Sequence, residues 1–303
     1  MKKGPDTPKG FRDLGPDLAR VRRKTINKIA EVLEEFGFVP IETPVVEFAE
    51  TLLGKYGEEE KLIYQFEDKG GRKLALRYDL TVPLARYVAN NLGLIAKGPF
   101  KRYQIGQIFR AEKPQAGRYR ESTQFDFDIV GSNSPEDDAK IVATAMSAAR
   151  KIGLKTAQLA INDRKNFENL PADFIRAVDK IYKIGVEGVK KELLEKGYSE
   201  SDLKKVDLIK NSKPTENLNK IFKILEDTYK LKERKDFFFD PTLARGSDYY
   251  TGIIFELKPT GKPEELSIGG GGRYDNLIGM FAGSDIPAVG FSFGLDRLVE
   301  IIK

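Results

Sequence analysis

The stretch FKRYQIGQIFRAEKPQAGRYRESTQFDFDIVG, residues 100–131, decides the fold because it contains two strand-like segments joined by a long polar loop. Residues 102–109 and 124–130 alternate between apolar and polar side chains, which is the period of a half-buried strand. The loop between them, residues 110–120, is crowded with Arg, Lys, Glu, Pro and Gly. Loops of this length inside a compact domain are usually functional. The stretch therefore predicts an antiparallel hairpin with a functional, charged tip.

The segments on both sides of this hairpin predict an α+β fold. Apolar residues at helical spacing predict helices over residues 17–36, 81–90, 135–152 and 295–302. Further strands are predicted at residues 64–67, 73–77, 253–257, 265–268 and 288–293. Turns of hairpin length join most of these strands, which favours a largely antiparallel sheet flanked by helices.

Residues 164–236 differ from the rest because their apolar residues have helical spacing and no strand pattern. This segment has 18 Lys+Arg and 14 Asp+Glu, so it carries +4 of the chain's net charge of +5. We interpret it as a helical insertion between two parts of one catalytic core, residues 1–163 and 237–303. Its lysines form either a solvated helical face or a nucleic-acid contact, and the sequence favours neither.

The composition excludes several kinds of chemistry. The 303 residues include no His, no Cys and no Trp. Thiol nucleophiles, disulfides, imidazole bases and metal sites built from His and Cys are therefore excluded. Carboxylates, Arg, Lys, Tyr and backbone amides remain, which suits the binding of phosphates and small polar substrates. The sequence has no long apolar run and no signal peptide, so we expect no membrane span and a cytoplasmic location.

Polar side chains in the hairpin are the first candidate site residues. Arg110 and Glu112 are two residues apart on a strand and so share a face, where the guanidinium could bind a phosphate. An ordinary ion pair is the alternative for this Arg-x-Glu pattern. Gln124, Asp126 and Asp128 also share one face, which is either exposed to solvent or lines a pocket.

Three other segments contain residues of the same chemistry. Asp79 precedes a predicted helix, where it could cap the helix or bind an ammonium group. The four glycines of residues 269–272 allow a ligand to lie against the backbone, although a flexible turn is the alternative. Arg297 lies in the first turn of the last helix, against the helix dipole, and this placement suggests a bound anion.

Taken in order, these segments resemble class II aminoacyl-tRNA synthetases and, within that class, the histidyl-tRNA synthetase family. The helix ending near Gly37 and the strand through Pro44 resemble motif 1. Residues 109–128 resemble motif 2, and residues 290–297 resemble motif 3. Two further stretches, residues 243–250 and 269–274, resemble the histidine-specific signatures of the family.

The resemblance implies a role for each candidate residue. Arg110 would contact the α-phosphate of ATP and the amino-acid carboxylate, and Arg245 would lie across that phosphate as a second catalytic residue. Glu112 would lie near the adenine, and Arg297 would stack on it. The histidine-binding residues are Asp79, Thr81 and Gln124 for the ammonium group, Asp128 and Tyr250 for the imidazole nitrogens, and Tyr274 for the pocket wall.

The resemblance also implies an activity and partners. These are ATP-dependent formation of histidyl-adenylate with Mg²⁺, transfer of histidine to the acceptor end of tRNA(His), and a homodimer formed through motif 1. Two alternatives stay open, a core that forms only the adenylate and a non-catalytic, histidine-sensing regulatory subunit of ATP phosphoribosyltransferase.

Three departures from the family pattern bear on that choice. Ser122 stands where a Phe usually stacks on adenine, so we expect weaker ATP binding, since stacking contributes about 1–3 kcal/mol. Ser247 replaces a Leu. The chain also ends at Lys303, so we expect a catalytic core without the anticodon-binding domain.

Overall fold

The computed structural model describes residues 5–114, 118–244 and 249–302, and these residues form an α+β fold. The strands are β1 (Val39–Pro40), β2 (Val46–Phe48), β3 (Gln65–Glu67), β4 (Lys73–Leu76), β5 (Phe100–Phe109), β6 (Glu121–Val130), β7 (Gln158–Asp163), β8 (Phe237–Phe239), β9 (Ile253–Lys258), β10 (Gly269–Arg273) and β11 (Ala288–Gly294). The helices are α1 (Pro16–Glu35), α2 (Ala49–Leu52), α3 (Thr81–Ala89), α4 (Pro135–Lys151), α5 (Ala172–Val178), α6 (Ile181–Glu195), α7 (Glu200–Lys210), α8 (Glu216–Asp227), α9 (Gly279–Ala282) and α10 (Leu295–Ile302).

The predicted hairpin β5–β6 lies within a large sheet whose strand order is β1-β5-β6-β11-β10-β9-β7-β8. The pairs from β5 through β7 are antiparallel, and only the two outermost pairs of this sheet, β1 with β5 and β7 with β8, are parallel. The expectation of a largely antiparallel sheet is therefore confirmed. The hairpin register places Arg102 opposite Asp128 and Phe109 opposite Glu121.

A second, three-stranded sheet has the order β2-β4-β3. Its β3–β4 hairpin corresponds to the strands predicted at residues 64–67 and 73–77. Asp68 forms the turn, because its carboxylate accepts hydrogen bonds from the backbone N–H groups of Gly70 and Arg72.

The two faces of the large sheet pack against different helices. Ile253 and Phe255 of β9 belong to a core cluster that includes residues of α1, α4 and α8, whereas Ile254 belongs to a second cluster with residues of α3 and α5–α7. Strand side chains alternate between faces, so α8 lies on one side of the sheet and α5–α7 lie on the other. The polar face of β6 points to the side of α5–α7.

Helices also occupy the segment that was predicted to be a helical insertion. Helix α6 contains a bend at Gly185, whose φ of 73° lies in the left-handed region that favours glycine. Because α8 packs on the opposite side of the sheet from α5–α7, the segment does not form one separate layer. Its boundaries at residues 164 and 236 stay a prediction.

One sequence prediction is wrong in the second half of the chain, and two strands there were missed. Residues 265–268 do not form a strand, and the strand begins instead at Gly269, so the four glycines lie in the centre of the sheet as β10. A Cβ atom on Gly271 would overlap the carbonyl oxygen of Gly290 on β11, so this strand approaches its neighbour too closely for a side chain. Strands β7 and β8 were not predicted, because β7 is buried on both faces and its sequence does not alternate.

None of the helices formed by the described residues is long and apolar enough to cross a membrane.

Candidate active site

A cavity of about 520 Å³ lies over the polar face of β6, on the side of the sheet that carries α3 and α5. It is lined by nine of the ten residues to which the resemblance assigns a role, namely Asp79, Thr81, Arg110, Glu112, Gln124, Asp128, Tyr250, Tyr274 and Arg297. Ser122 also lines this cavity. Arg245, the tenth residue, and Ser247 lie outside the described residues.

The floor of the cavity consists of three side chains from one face of β6. Asp126 and Asp128 are each 3% exposed, so the pocket-lining alternative holds and the solvent-exposed one does not. Gln124 Oε1 and Asp126 Oδ1 are buried and have no hydrogen-bond partner among the described residues. A buried acceptor without a donor is costly, so these oxygens indicate a ligand that brings N–H groups.

Asp128 is held from two sides. Its Oδ2 lies 2.6 Å from Nη2 of Arg102, so the two groups form an ion pair, although their orientation does not suit a hydrogen bond. The Tyr274 hydroxyl donates a hydrogen bond to its Oδ1. Burial raises the pKa of Asp128, while Arg102 and the Tyr274 hydrogen bond oppose that shift. A Cβ atom on Gly290 would overlap this carboxylate, so glycine is required at that position to keep Asp128 in place.

Asp79 lies just before α3 and caps it. Its Oδ1 accepts hydrogen bonds from the N–H groups of Thr81 and Val82 at 3.1 and 3.0 Å and from the Tyr56 hydroxyl at 2.9 Å. Burial raises the pKa of Asp79, and these hydrogen bonds oppose the rise. All three bonds go to one oxygen, which leaves the other oxygen able to accept from a ligand.

Besides Arg118, which is paired with Glu112 at 3.6 Å, two guanidinium groups give the other part of the cavity its positive charge. Arg110 lies 4.3 Å above the centre of the Tyr78 ring, and its Nε donates to the Tyr78 carbonyl at 3.1 Å. Arg297 donates to the carbonyl of Ser267. Burial, and then the charge of Arg118, lower the pKa of Arg297. An incoming anion would be stabilised by both arginines.

A network around Asp296 positions Arg297. The Asp296 carboxylate accepts from Arg12 at 2.7 Å, from Arg22 at 3.1 Å and from the backbone N–H of Thr123 at 2.7 Å. It therefore joins the N-terminal segment, α1, β6 and α10 at the edge of the cavity. No sequence pattern marks this network, because its members are far apart in the chain.

Arg102 and Tyr56 are further residues that the sequence analysis missed. A signal for Arg102 was available, because a symmetric hairpin over residues 100–131 places it directly opposite Asp128. No comparable signal marks Tyr56, whose hydrogen bond to Asp79 joins the segment after α2 to the segment before α3.

A large, mainly antiparallel sheet, with a cavity over one face, one arginine directly after β5 and another in the last helix, defines the class II aminoacyl-tRNA synthetase fold. The solved histidyl-tRNA synthetase from Nostoc sp. has this fold, with a TM-score of 0.84 and 30% identity over 99% of this chain and 76% of that chain. A Bacillus halodurans structure described as an ATP phosphoribosyltransferase regulatory subunit/histidyl-tRNA synthetase has a TM-score of 0.82 at 24% identity, which shows the fold alone.

The histidyl-tRNA synthetase family model matches residues 10–184 and 186–298. The histidine–tRNA ligase of Aeropyrum pernix is 44% identical over an alignment 324 positions long, which covers 98% of this chain and 74% of that protein. The corresponding ligase of Korarchaeum cryptofilum is 41% identical, with 97% of this chain and 74% of that protein covered. The chain belongs to the histidyl-tRNA synthetase family.

Proposed function

We propose that this chain is a histidine–tRNA ligase, which activates histidine with ATP and transfers it to tRNA(His). The observation that carries the proposal is the composition of one cavity, with buried acceptor oxygens on its floor and two arginines beside them. The acceptors suit the N–H groups of histidine, and the arginines suit the phosphates of ATP. Membership of the histidyl-tRNA synthetase family supports the same substrates.

We assign the histidine-binding roles by the hydrogen-bonding capacity of each side chain. Asp79, with one oxygen available, receives the ammonium group together with Gln124 and Thr81. Asp128 accepts a hydrogen bond from one imidazole N–H, and Tyr250 reads the other nitrogen. Tyr274 fixes the Asp128 carboxylate through its hydroxyl and forms the wall of the pocket.

Formation of the adenylate needs alignment and charge neutralisation rather than a general base. The substrate carboxylate attacks the α-phosphorus in line, pyrophosphate leaves, and negative charge develops on the phosphate oxygens. Arg110 stabilises this charge, and we assign the opposite position to Arg245. Glu112 and Arg297 hold the adenine end of ATP. A chain without histidine can carry out this step because no group has to remove a proton.

Mg²⁺ fits this site as a companion of ATP rather than as a resident ion. Among the described residues, no group of three or more acidic side chains is placed to hold a metal. Magnesium usually binds through one or two carboxylates and the substrate phosphates. Glu112 is assigned to the adenine end and is paired with Arg118, so the phosphates of ATP would supply the ligands of the ion. When bound, the ion would neutralise phosphate charge.

Charging of a tRNA(His) transcript with labelled histidine tests the transfer step. The proposal expects histidine attached to the 3′ end and no charging with glutamine or asparagine. Adenylate formation without charging would indicate the adenylate-only alternative. Histidine binding without either reaction would indicate the regulatory alternative, against which the two cavity arginines argue.

We also propose that the protein forms a homodimer through its N-terminal region. Val46 and Phe48 lie on one face of the small sheet, and the register places Phe66 on that face, with Leu74 between Phe48 and Phe66. Phe48 is 51% exposed and Phe66 is 45% exposed. An exposed apolar sheet face of this kind is typical of an interface, and it directly follows the segment that resembles motif 1.

Replacing Phe48 and Phe66 with Glu is therefore expected to convert the dimer into a monomer of 34.1 kDa. Two charged groups would have to be buried in an apolar interface, which is strongly unfavourable. Light scattering coupled to gel filtration measures the mass. The control is Leu208→Glu on α7, where an equally apolar but 70% exposed side chain lies outside this sheet. A wild-type monomer, or a dimer unchanged by both substitutions, would contradict the proposed interface.

Lysines of α7 are proposed to contact the acceptor end of tRNA, because α5–α7 lie on the cavity side of the sheet. Replacing the exposed Lys204 and Lys205 with Glu is expected to lower tRNA affinity and to reduce the slope of log K against log salt by about one for each phosphate that is no longer bound. Filter binding at several salt concentrations measures both. The matched control replaces Lys220 and Lys223 on α8, on the far side of the sheet. An equal decrease in affinity from both pairs would reject this assignment.

A further inference from the structure

Asp126 is a buried carboxyl group of the cavity for which the proposed reaction has no role yet. It lies between Gln124 and Asp128 on the same face of β6, lines the cavity and is 3% exposed. Ser292, opposite it on β11, contributes one side-chain hydrogen bond to the carboxyl. The Oδ1 atom has no hydrogen-bond partner among the described residues. This oxygen is therefore available to a ligand in the histidine pocket.

Charged groups face Asp126 from three directions. Arg102 approaches from β5, Asp128 from the same strand, and Arg77 and Asp79 from the segment before α3. Burial raises the pKa of Asp126 to about 7, opposed by Arg102 and reinforced by Asp128 and Asp79. The carboxyl can therefore hold or lose a proton near neutral pH.

Charge balance on the cavity floor limits which substrate form can bind. With Asp128 ionised and Arg102 cationic, the floor is neutral only when Asp126 carries its proton. A neutral imidazole then leaves the buried cluster neutral, and so does an imidazolium facing an ionised Asp126. These two arrangements contain the same number of protons, whereas one proton more or fewer leaves a buried net charge, which is costly.

We propose that Asp126 is a specificity-determining residue that shares one proton with the basic ring nitrogen of the substrate, the nitrogen that Tyr250 also contacts, while Asp128 accepts from the other ring nitrogen. In the complex this proton lies between Asp126 Oδ1 and the ring nitrogen. Its transfer from one to the other leaves the total number of bound protons unchanged. The pocket thus selects a side chain with one N–H donor and one basic nitrogen. The inference rests on the proposed function, because it assigns the imidazole to this pocket.

The pH dependence of KM for histidine in pyrophosphate exchange tests this role. The complex forms from protonated Asp126 and histidine with a neutral imidazole, or from ionised Asp126 and histidine with an imidazolium. With an ordinary imidazole pKa of about 6.5 and an Asp126 pKa that burial raises to about 7, KM is expected to rise about fourfold from pH 7 to pH 8, since Asp126 loses its proton. In Asp126→Asn the amide does not titrate, so KM is expected to change by less than about 1.5-fold over that interval.

The matched control is Asp138→Asn. Asp138 is also buried, and burial raises its pKa to about 6, but it pairs with Arg273 outside the cavity. This variant is expected to keep the wild-type profile, and KM for ATP is expected to be unchanged in Asp126→Asn. If Asp126→Asn does not fold, Asp126→Ser also removes the titrating group.

The outcomes separate the inference from the proposed function. The role of Asp126 would be overturned if KM for histidine rose toward alkaline pH equally in the wild type and in Asp126→Asn, or if it did not rise in the wild type. In either case histidine-dependent exchange would still support the ligase. Absence of histidine-dependent exchange in the wild-type protein would instead overturn the proposed function.

Discussion

Replacing Arg110 with Ala is expected to reduce histidine-dependent pyrophosphate exchange by about 10²–10³-fold, the usual cost of removing one preorganised group that stabilises transition-state charge. Arg110 is fixed before ATP binds, because Tyr78 holds it through its ring and its carbonyl. Among the described residues its terminal nitrogens form no ion pair, so they are available to a phosphate. The measurement is the exchange rate at saturating histidine and ATP.

Arg110→Lys and Arg86→Ala are the comparison variants. Lysine keeps the charge but lacks the planar fork of donors, so an intermediate decrease is expected. Arg86 is paired with Glu47 and does not line the cavity, and its replacement is expected to leave the rate near that of the wild type. A rate for Arg110→Ala within tenfold of the wild type would reject the phosphate-binding role.

Replacing Arg102 with Met is expected to lower the free energy of unfolding by about 3–5 kcal/mol at pH 8, the typical cost of removing one partner from a buried ion pair. Arg102 is fully buried, and it faces Asp128 directly and Asp126 nearby. Without this cation, two carboxyl groups remain buried without compensation. Urea denaturation with both proteins measures the difference.

The destabilisation is expected to shrink as the pH falls. Burial already raises the folded-state pKa values of Asp126 and Asp128, and removal of Arg102 raises them further. Between the wild-type and the variant folded-state pKa values, the folded variant binds more protons than the folded wild type, so the stability deficit shrinks toward acid by about 1.4 kcal/mol per pH unit for each extra proton. The deficit at pH 5.5 is therefore smaller than at pH 8.

Adding Asp128→Asn to Arg102→Met provides the control. The second substitution removes one uncompensated charge, so it is expected to restore part of the stability and to weaken the pH dependence. A deficit that is equal at both pH values would mean that the destabilisation comes from packing volume rather than charge.

The hairpin β5–β6 shows how far the sequence could predict this molecule. Its alternation predicted both strands, and its polar residues proved to line the cavity. The burial of Asp126 and Asp128 could not be predicted, because a polar strand face is usually solvated. This face of β6 is enclosed because α3 and α5–α7 lie on the same side of the sheet. The hairpin alone carries no information about those distant elements.

The glycines of β10 show a second limit of the sequence. Gly269–Arg273 has no strand propensity, and glycine in a strand normally weakens it. The segment forms a central strand because β9 and β11 supply hydrogen-bond partners on both sides and because side chains would collide there. Tertiary contacts thus override local preference. Gly269, Gly270 and Gly271 line the cavity, and the expectation that a ligand lies against this backbone stays a prediction.

Histidine-dependent exchange of labelled pyrophosphate into ATP is the most direct test of the central claim that the cavity activates histidine. The account predicts exchange by the wild-type protein that requires histidine and is not supported by glutamine or asparagine. It also predicts that weaker ATP binding, expected from Ser122, raises KM for ATP without abolishing exchange. No exchange at saturating histidine and ATP, from protein that is folded and binds histidine, would contradict the account.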